Sequence, residues 1–142
     1  MSFLDFAPDP KQHRALKLFL IGTLVVGAFA GAVARPLPAP VASWLVAPAW
    51  TLSYLLMAMA AWLAWTRGAG RLAMAFYTTQ LALDLAWRFR PTLFLGAAMN
   101  LAMLVTLILF AGRNWRAALT FLPCMVWSLS VSVPMSGFWW LN

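Results

Sequence analysis

Five apolar runs, each close to twenty residues long and parted from the next by a short break rich in proline or glycine, make up almost the whole of this 142-residue chain. The runs at 15–34, 44–65, 72–88, 92–111 and 117–141 each approach the ~20 residues that carry an α-helix across a bilayer. The breaks hold Pro36, Pro38 and Pro40, then Gly68 and Gly70, then Pro91, then Gly112. Such residues end helices without penalty when they fall in a turn. In lipid the backbone must satisfy its own hydrogen bonds, and the alternating ten-residue strands of a barrel are absent. The pattern predicts an all-α membrane protein, a five-transmembrane-helix bundle forming one domain over 15–142 behind a polar tail at 1–14. Short connections make sequence neighbours antiparallel.

Composition excludes a water-soluble fold. Hydrophobic residues are 64% of the chain and charged residues 9%, against about 45–50% and about 25% in soluble domains. A formal net charge of +7 in a soluble chain would suggest nucleic acid. Here the basic residues fall at the ends of apolar runs, where they reach lipid headgroups, and no nucleic-acid partner is expected. Lys11, Arg14, Lys17, Arg67, Arg71, Arg113 and Arg116 fall on one side; Arg35, Arg88 and Arg90 fall on the other. The positive-inside rule then places the N-terminus in the cytoplasm and the C-terminus outside, in a bacterial cytoplasmic (inner) membrane. The basic start, the first apolar run and Ala32-Val33-Ala34 have the look of a cleavable leader. That run exceeds the roughly 7–15 residues of a leader's apolar region and is read as the first helix.

The residues of conventional catalysis are scarce. Cys124 and His13 are the single cysteine and histidine, so no internal disulfide, hydrolytic triad or metal site of the His, Cys and carboxylate kind can be assembled. A glycine-rich phosphate loop is also missing. The expectation is a binding protein without an obligatory cofactor or bound metal, not an enzyme.

Three blocks carry a family resemblance. Trp44-Leu-Val-Ala-Pro48-Ala-Trp50-Thr-Leu-Ser-Tyr54-Leu-Leu-Met57 opens the second helix. Gln80-Leu-Ala-Leu-Asp84-Leu-Ala-Trp87 lies on the third, and Leu122-Pro123-Cys124-Met125-Val126-Trp127 on the fifth, followed by Trp139-Trp140. In this order and on these helices the chain resembles the translocator protein family, also called the tryptophan-rich sensory or peripheral benzodiazepine receptor family, from Trp44 onward. The resemblance implies a pocket walled by Trp50 and Trp127 that handles porphyrin or haem-like tetrapyrroles, and a tendency to form homodimers. The departures are specific. The family's longer first loop, which folds over the pocket mouth, is reduced to Arg35-Pro-Leu-Pro-Ala-Pro-Val-Ala-Ser43. Its helix 3 Asn is Asp84, its helix 4 acid is Asn100, and the Tyr of its helix 5 block is Cys124.

Read from the residues themselves, Trp50, Tyr54, Met57 and Ala61 recur at i, i+4, i+7 and i+11, one stripe of a helix. Trp62 and Trp65, near the end of that run, suit the aromatic belt at a membrane boundary. Asp84 is the one acid inside a span and needs a partner. Arg88 lies one turn on and Gln80 one turn earlier. Two roles stay open for Asp84: an ion pair that locks the third helix against the fourth through Asn100, or contact with a ligand beside Trp87. Gly27 and Gly31 form a Gly-x-x-x-Gly pair, suited to a dimer seam or to close packing within the bundle. Pro123 and Pro134 should kink the last helix or free its carbonyls.

The candidate ligand site is therefore Trp50, Tyr54, Met57, Gln80, Asp84, Trp87 and Trp127. Its ligand would be a tetrapyrrole or another apolar small molecule, and membrane lipid is the surrounding partner. A second reading is an accessory or assembly subunit of a larger, possibly pigment-containing photosynthetic complex. A third, tryptophan-dependent porphyrin degradation, lacks any conventional acid, base or metal.

Overall fold

The computed structural model describes residues 9–33 and 43–141. The tail before residue 9 and the first loop, with Arg35, Pro36, Pro38 and Pro40, lie outside the described residues. Five helices account for nearly everything else: α1 (Pro10–Val33), α2 (Ser43–Thr66), α3 (Arg71–Phe89), α4 (Leu93–Ala111) and α5 (Trp115–Leu141). Four of them, α1, α2, α4 and α5, are long and apolar enough to cross a membrane. α3 is as long as α4 but carries Gln80, Asp84 and two arginines, which lower its hydropathy.

The helix ends follow local chemistry. α1 starts at Pro10, earlier than expected, so residues 10–14 are helical and not part of a polar tail. Pro10 needs no donor in a first turn, and the Asp9 carboxylate accepts from the Lys11 N–H at 3.3 Å. α2 ends in a Schellman motif. The N–H of Gly68 donates to Trp65 O and that of Ala69 to Ala64 O, both at 3.0 Å, with Gly68 at φ 76°, the left-handed conformation that glycine adopts without steric cost. At the start of α4 the Thr92 side chain accepts from the Leu95 N–H at 3.2 Å. α5 runs on through Pro123 and Pro134.

α1 packs on α2 and α3, α2 on α5, α5 on α4, and α4 on α3. The helices thus close a ring in the order α1, α2, α5, α4, α3. At one end of that ring the Trp62 indole donates to Gln12 O at 3.1 Å, and Asn114 in the α4–α5 turn donates to Leu63 O at 3.4 Å. Trp62 is therefore buried, 8% exposed, and not a boundary residue as its position suggested; a partner on α1 for its N–H makes burial favourable. Trp65, 40% exposed, keeps the outward placement.

Gly27 faces Tyr54 across the α1–α2 contact. A Cβ there would lie 2.7 Å from the tyrosine ring, whereas one at Gly31 would meet nothing within 4 Å. The first of these glycines thus serves packing inside the bundle. Edge-on and tilted contacts of Tyr77 with Phe110, and of Phe110 with Phe121, fill the core beside it.

Candidate functional site

The inward stripe of α2 is realised. Tyr54, Met57 and Ala61 are buried, and Trp50 packs against both hydrophobic clusters of the core. From this stripe Tyr54 reaches across the ring and donates its hydroxyl to the Asp84 carboxylate on α3. Arg88 completes the group: its Nε lies 3.3 Å from Asp84 Oδ2, and its Nη2 donates to Asp84 Oδ1 and to the Tyr54 hydroxyl, both at 3.4 Å. The Asp84–Arg88 pair is thus i, i+4 as the spacing implied, but it locks α3 to α2 and not to α4.

Arg88 is one of the basic residues that the sequence pattern sends to the headgroups. It does not reach them. It is 5% exposed and its guanidinium stacks on the Trp50 ring, 3.7 Å from the ring centroid. An ion pair, a hydroxyl and an aromatic face together replace the water that a buried guanidinium loses.

Asn100, the expected partner of Asp84, makes a different junction. Its Nδ2 donates to Gly96 O and to Ser132 Oγ at 2.8 Å, and its Oδ1 accepts from Ser128 at 3.1 Å. One polar residue on α4 is thereby clamped by two serines one turn apart on α5.

Trp50 and Trp127 meet edge to face, with centroids 5.9 Å apart and planes at 87°. The two indoles do come together from α2 and α5, but they touch each other instead of flanking an open slot. What remains between α2, α3, α4 and α5 is a cavity of about 20 Å³, room for one or two water molecules. Pockets for drug-sized ligands run to roughly 300–1,000 Å³.

Five of the seven expected residues, Trp50, Met57, Gln80, Asp84 and Trp127, line this cavity. Tyr54 stands behind it as the hydrogen-bond partner of Asp84, and Trp87 lies in a neighbouring cluster with Val131 and Met135. The residues that sequence reasoning passed over are Ser53, Leu81, Met99, Met103, Cys124 and Ser128. Their signal was weak: Met99 and Met103 are i, i+4 on α4, and Ser128 and Ser132 repeat that spacing on α5, but in an apolar helix neither pair stands out. Three buried polar atoms lack a partner among the described residues: the indole nitrogens of Trp87 and Trp127, and Gln80 Oε1.

Comparison with known proteins gives a consistent picture. The chain matches the TspO/MBR family over residues 15–141. It is 30% identical over 114 residues to the tryptophan-rich protein TspO of Archaeoglobus fulgidus, covering 70% of this chain and 71% of that protein. It is 26% identical over 112 residues to protein CrtK of Rhodobacter capsulatus, covering 70% of each.

Proposed function

Because the chain belongs to the TspO/MBR family, we propose that it is a membrane-embedded binding protein whose interior cleft holds an apolar small molecule, a tetrapyrrole foremost, in a sensing, regulatory or transport role. The observation that carries this reading is the convergence of Trp50 and Trp127 beside buried indole N–H groups of Trp87 and Trp127 that have no acceptor among the described residues. Unsatisfied buried donors are rare because each costs about 1–3 kcal/mol. A flat aromatic ligand with acceptor atoms would satisfy them and stack on the tryptophans, each contact adding about 0.5–1.5 kcal/mol beyond burial.

The small cavity sets a condition on this function. A macrocycle enters only if Arg88 leaves the face of Trp50 and the α2–α5 seam widens, so the described state is the closed one. In this reading α3 is the fifth span. Its 19 residues reach about 28 Å at ~1.5 Å per residue. Gln80 and Arg88 are buried while Leu72 and Phe89 are exposed; of the exposed polar residues within the span, Thr78 and Thr79, Thr78 turns its hydroxyl back to Met74 O and Ala75 O. The basic excess at the Lys11, Arg67 and Arg113 end supports an orientation with that end in the cytoplasm, in a bacterial inner membrane.

Titration of the purified chain with protoporphyrin tests the proposal. Saturable quenching of tryptophan fluorescence is expected, and its absence at micromolar ligand would overturn the binding role. The near-closed cavity favours a second reading, an accessory subunit docked in a larger membrane complex. A partner protein recovered in fixed ratio from mild detergent, together with no quenching, would select it.

A further inference from the structure

We propose that the central cavity is a binding site for one ordered water molecule, which accepts a hydrogen bond from Trp127 Nε1 on α5 and donates to Gln80 Oε1 and Asp84 Oδ1 on α3. All three residues line the cavity. The indole donor and the amide acceptor are buried atoms with no partner among the described residues, and Gln80 as a whole is 2% exposed. The amide is oriented by its other end, since Gln80 Nε2 donates to Met57 Sδ at 3.6 Å. Asp84 Oδ1 accepts one long bond, from Arg88 Nη2 at 3.4 Å, and a carboxylate oxygen has a lone pair for a second.

The hydroxyls and the thiol of the wall are already engaged. Ser53 Oγ donates to Ala49 O at 2.8 Å, Ser128 Oγ to Asn100 Oδ1 at 3.1 Å, and Cys124 Sγ to Ser53 O at 3.2 Å. Left to be satisfied are the Trp127 N–H, the Gln80 oxygen and the second lone pair of Asp84 Oδ1. Water matches that set, with two hydrogens to give and a lone pair to receive. A cation has no lone pair for the indole N–H, an anion would face the oxygens of Gln80 and Asp84, and an apolar occupant would satisfy none of the three. Size agrees with chemistry. The cavity is about 20 Å³, where a buried water needs at least about 10–15 Å³ and makes about three hydrogen bonds.

The bridge joins two helices that are not neighbours in the ring, since α4 separates α3 from α5 on one side and α1 and α2 do so on the other. Trp127 also supplies one of the two rings of the edge-to-face contact with Trp50. On the reading of the cleft given above, widening the α2–α5 seam carries Trp127 away from Gln80 and breaks the bridge, so the water acts as a latch on the closed bundle. A ligand that takes over the Trp127 N–H displaces this water. Displacing a well-ordered water favours only a group that reproduces its hydrogen bonds, so the site selects ligands that carry an acceptor atom.

Two measurements on the full chain test the site: a crystal structure fine enough to show ordered water, and NMR in detergent with the tryptophans labelled at the indole nitrogen. One density peak is expected within hydrogen-bond distance of Trp127 Nε1, Gln80 Oε1 and Asp84 Oδ1. In solution the Trp127 indole proton, identified as the signal lost in Trp127→Phe, should show cross-relaxation with water of the sign that marks dipolar contact and not exchange. Gln80→Leu should reduce that transfer at least about tenfold, the fall in occupancy that goes with one lost hydrogen bond. Ser53→Ala, whose hydroxyl is spent on Ala49 O, should leave it unchanged. If either Trp127→Phe or Gln80→Leu does not fold, the crystal structure of the unaltered chain decides. A dry cavity, or a transfer indifferent to Gln80→Leu, overturns the proposal. Protoporphyrin takes no part in either measurement, so the water site and the tetrapyrrole reading can fail independently.

Discussion

The guanidinium of Arg88 lies 3.7 Å from the centre of the Trp50 ring, covering the aromatic face on which a flat ligand would stack. A desolvated cation–π contact contributes about 2 kcal/mol or more. The same contact that stabilises the closed bundle would therefore compete with the proposed ligand. Asp84 and Tyr54 hold the guanidinium in place from the other side.

Removing that cover without stranding a charge should tighten binding. In the double variant Asp84→Asn/Arg88→Ala the face of Trp50 is freed. Protoporphyrin affinity, read by tryptophan quenching, is expected to rise by up to about thirtyfold, the equivalent of ~2 kcal/mol. Weaker binding in a folded double variant would show that Arg88 holds the ligand instead of excluding it.

Breaking the pair from one side should instead cost stability. Arg88→Ala leaves the Asp84 carboxylate, 14% exposed, with Tyr54 as its remaining partner among the described residues. The expected loss is about 3–5 kcal/mol. Adding Asp84→Asn should recover more than half of it, measured as the thermal midpoint in detergent; no recovery would refute the coupling.

The two glycines of α1 should behave differently. Gly27→Ala drives a methyl to 2.7 Å from the Tyr54 ring, an overpacking expected to cost about 1–3 kcal/mol. Gly31→Ala, with open space around it, should be neutral in the monomer. Loss of a dimer in Gly31→Ala, seen by size-exclusion chromatography with light scattering, would assign this glycine to a contact between copies.

Trp127→Phe deletes a buried indole N–H that has no acceptor among the described residues and keeps an aromatic edge toward Trp50. Stability should change by less than about 1 kcal/mol, because a lost unsatisfied donor offsets the lost area. Protoporphyrin affinity should fall roughly fivefold to tenfold, the worth of one hydrogen bond of about 1–1.5 kcal/mol. A large stability loss with unchanged affinity would give Trp127 a packing role alone.

The helices could be read directly from the residues, and so could the inward stripe Trp50, Tyr54, Met57 and Ala61, since 3.6-residue periodicity on α2 coincides with the family's spacing. The Asp84–Arg88 pair is legible in the spacing and present in the structure, but the partner expected on a neighbouring helix is not the one found. Asp84 joins Tyr54 on α2 and not Asn100 on α4, which binds Ser128 and Ser132. Trp62, placed at the membrane boundary by its position, is an inner residue tied to Gln12.

The reason lies in the solvent. A chain with 64% hydrophobic residues has to satisfy its backbone internally once in lipid, so helices, their number and their breaks follow from composition and from proline and glycine alone. Which way each helix turns does not follow. Lipid is as apolar as a core, so a residue such as Met99 or Met103 can face either without leaving a signature in hydropathy. Rotation and partner choice are resolved only when helices meet, where a few hydroxyls, an amide and one ion pair must each find a counterpart across the ring. The convergence of Cys124, Met57, Met99 and Met103 on one cavity is a product of that assembly.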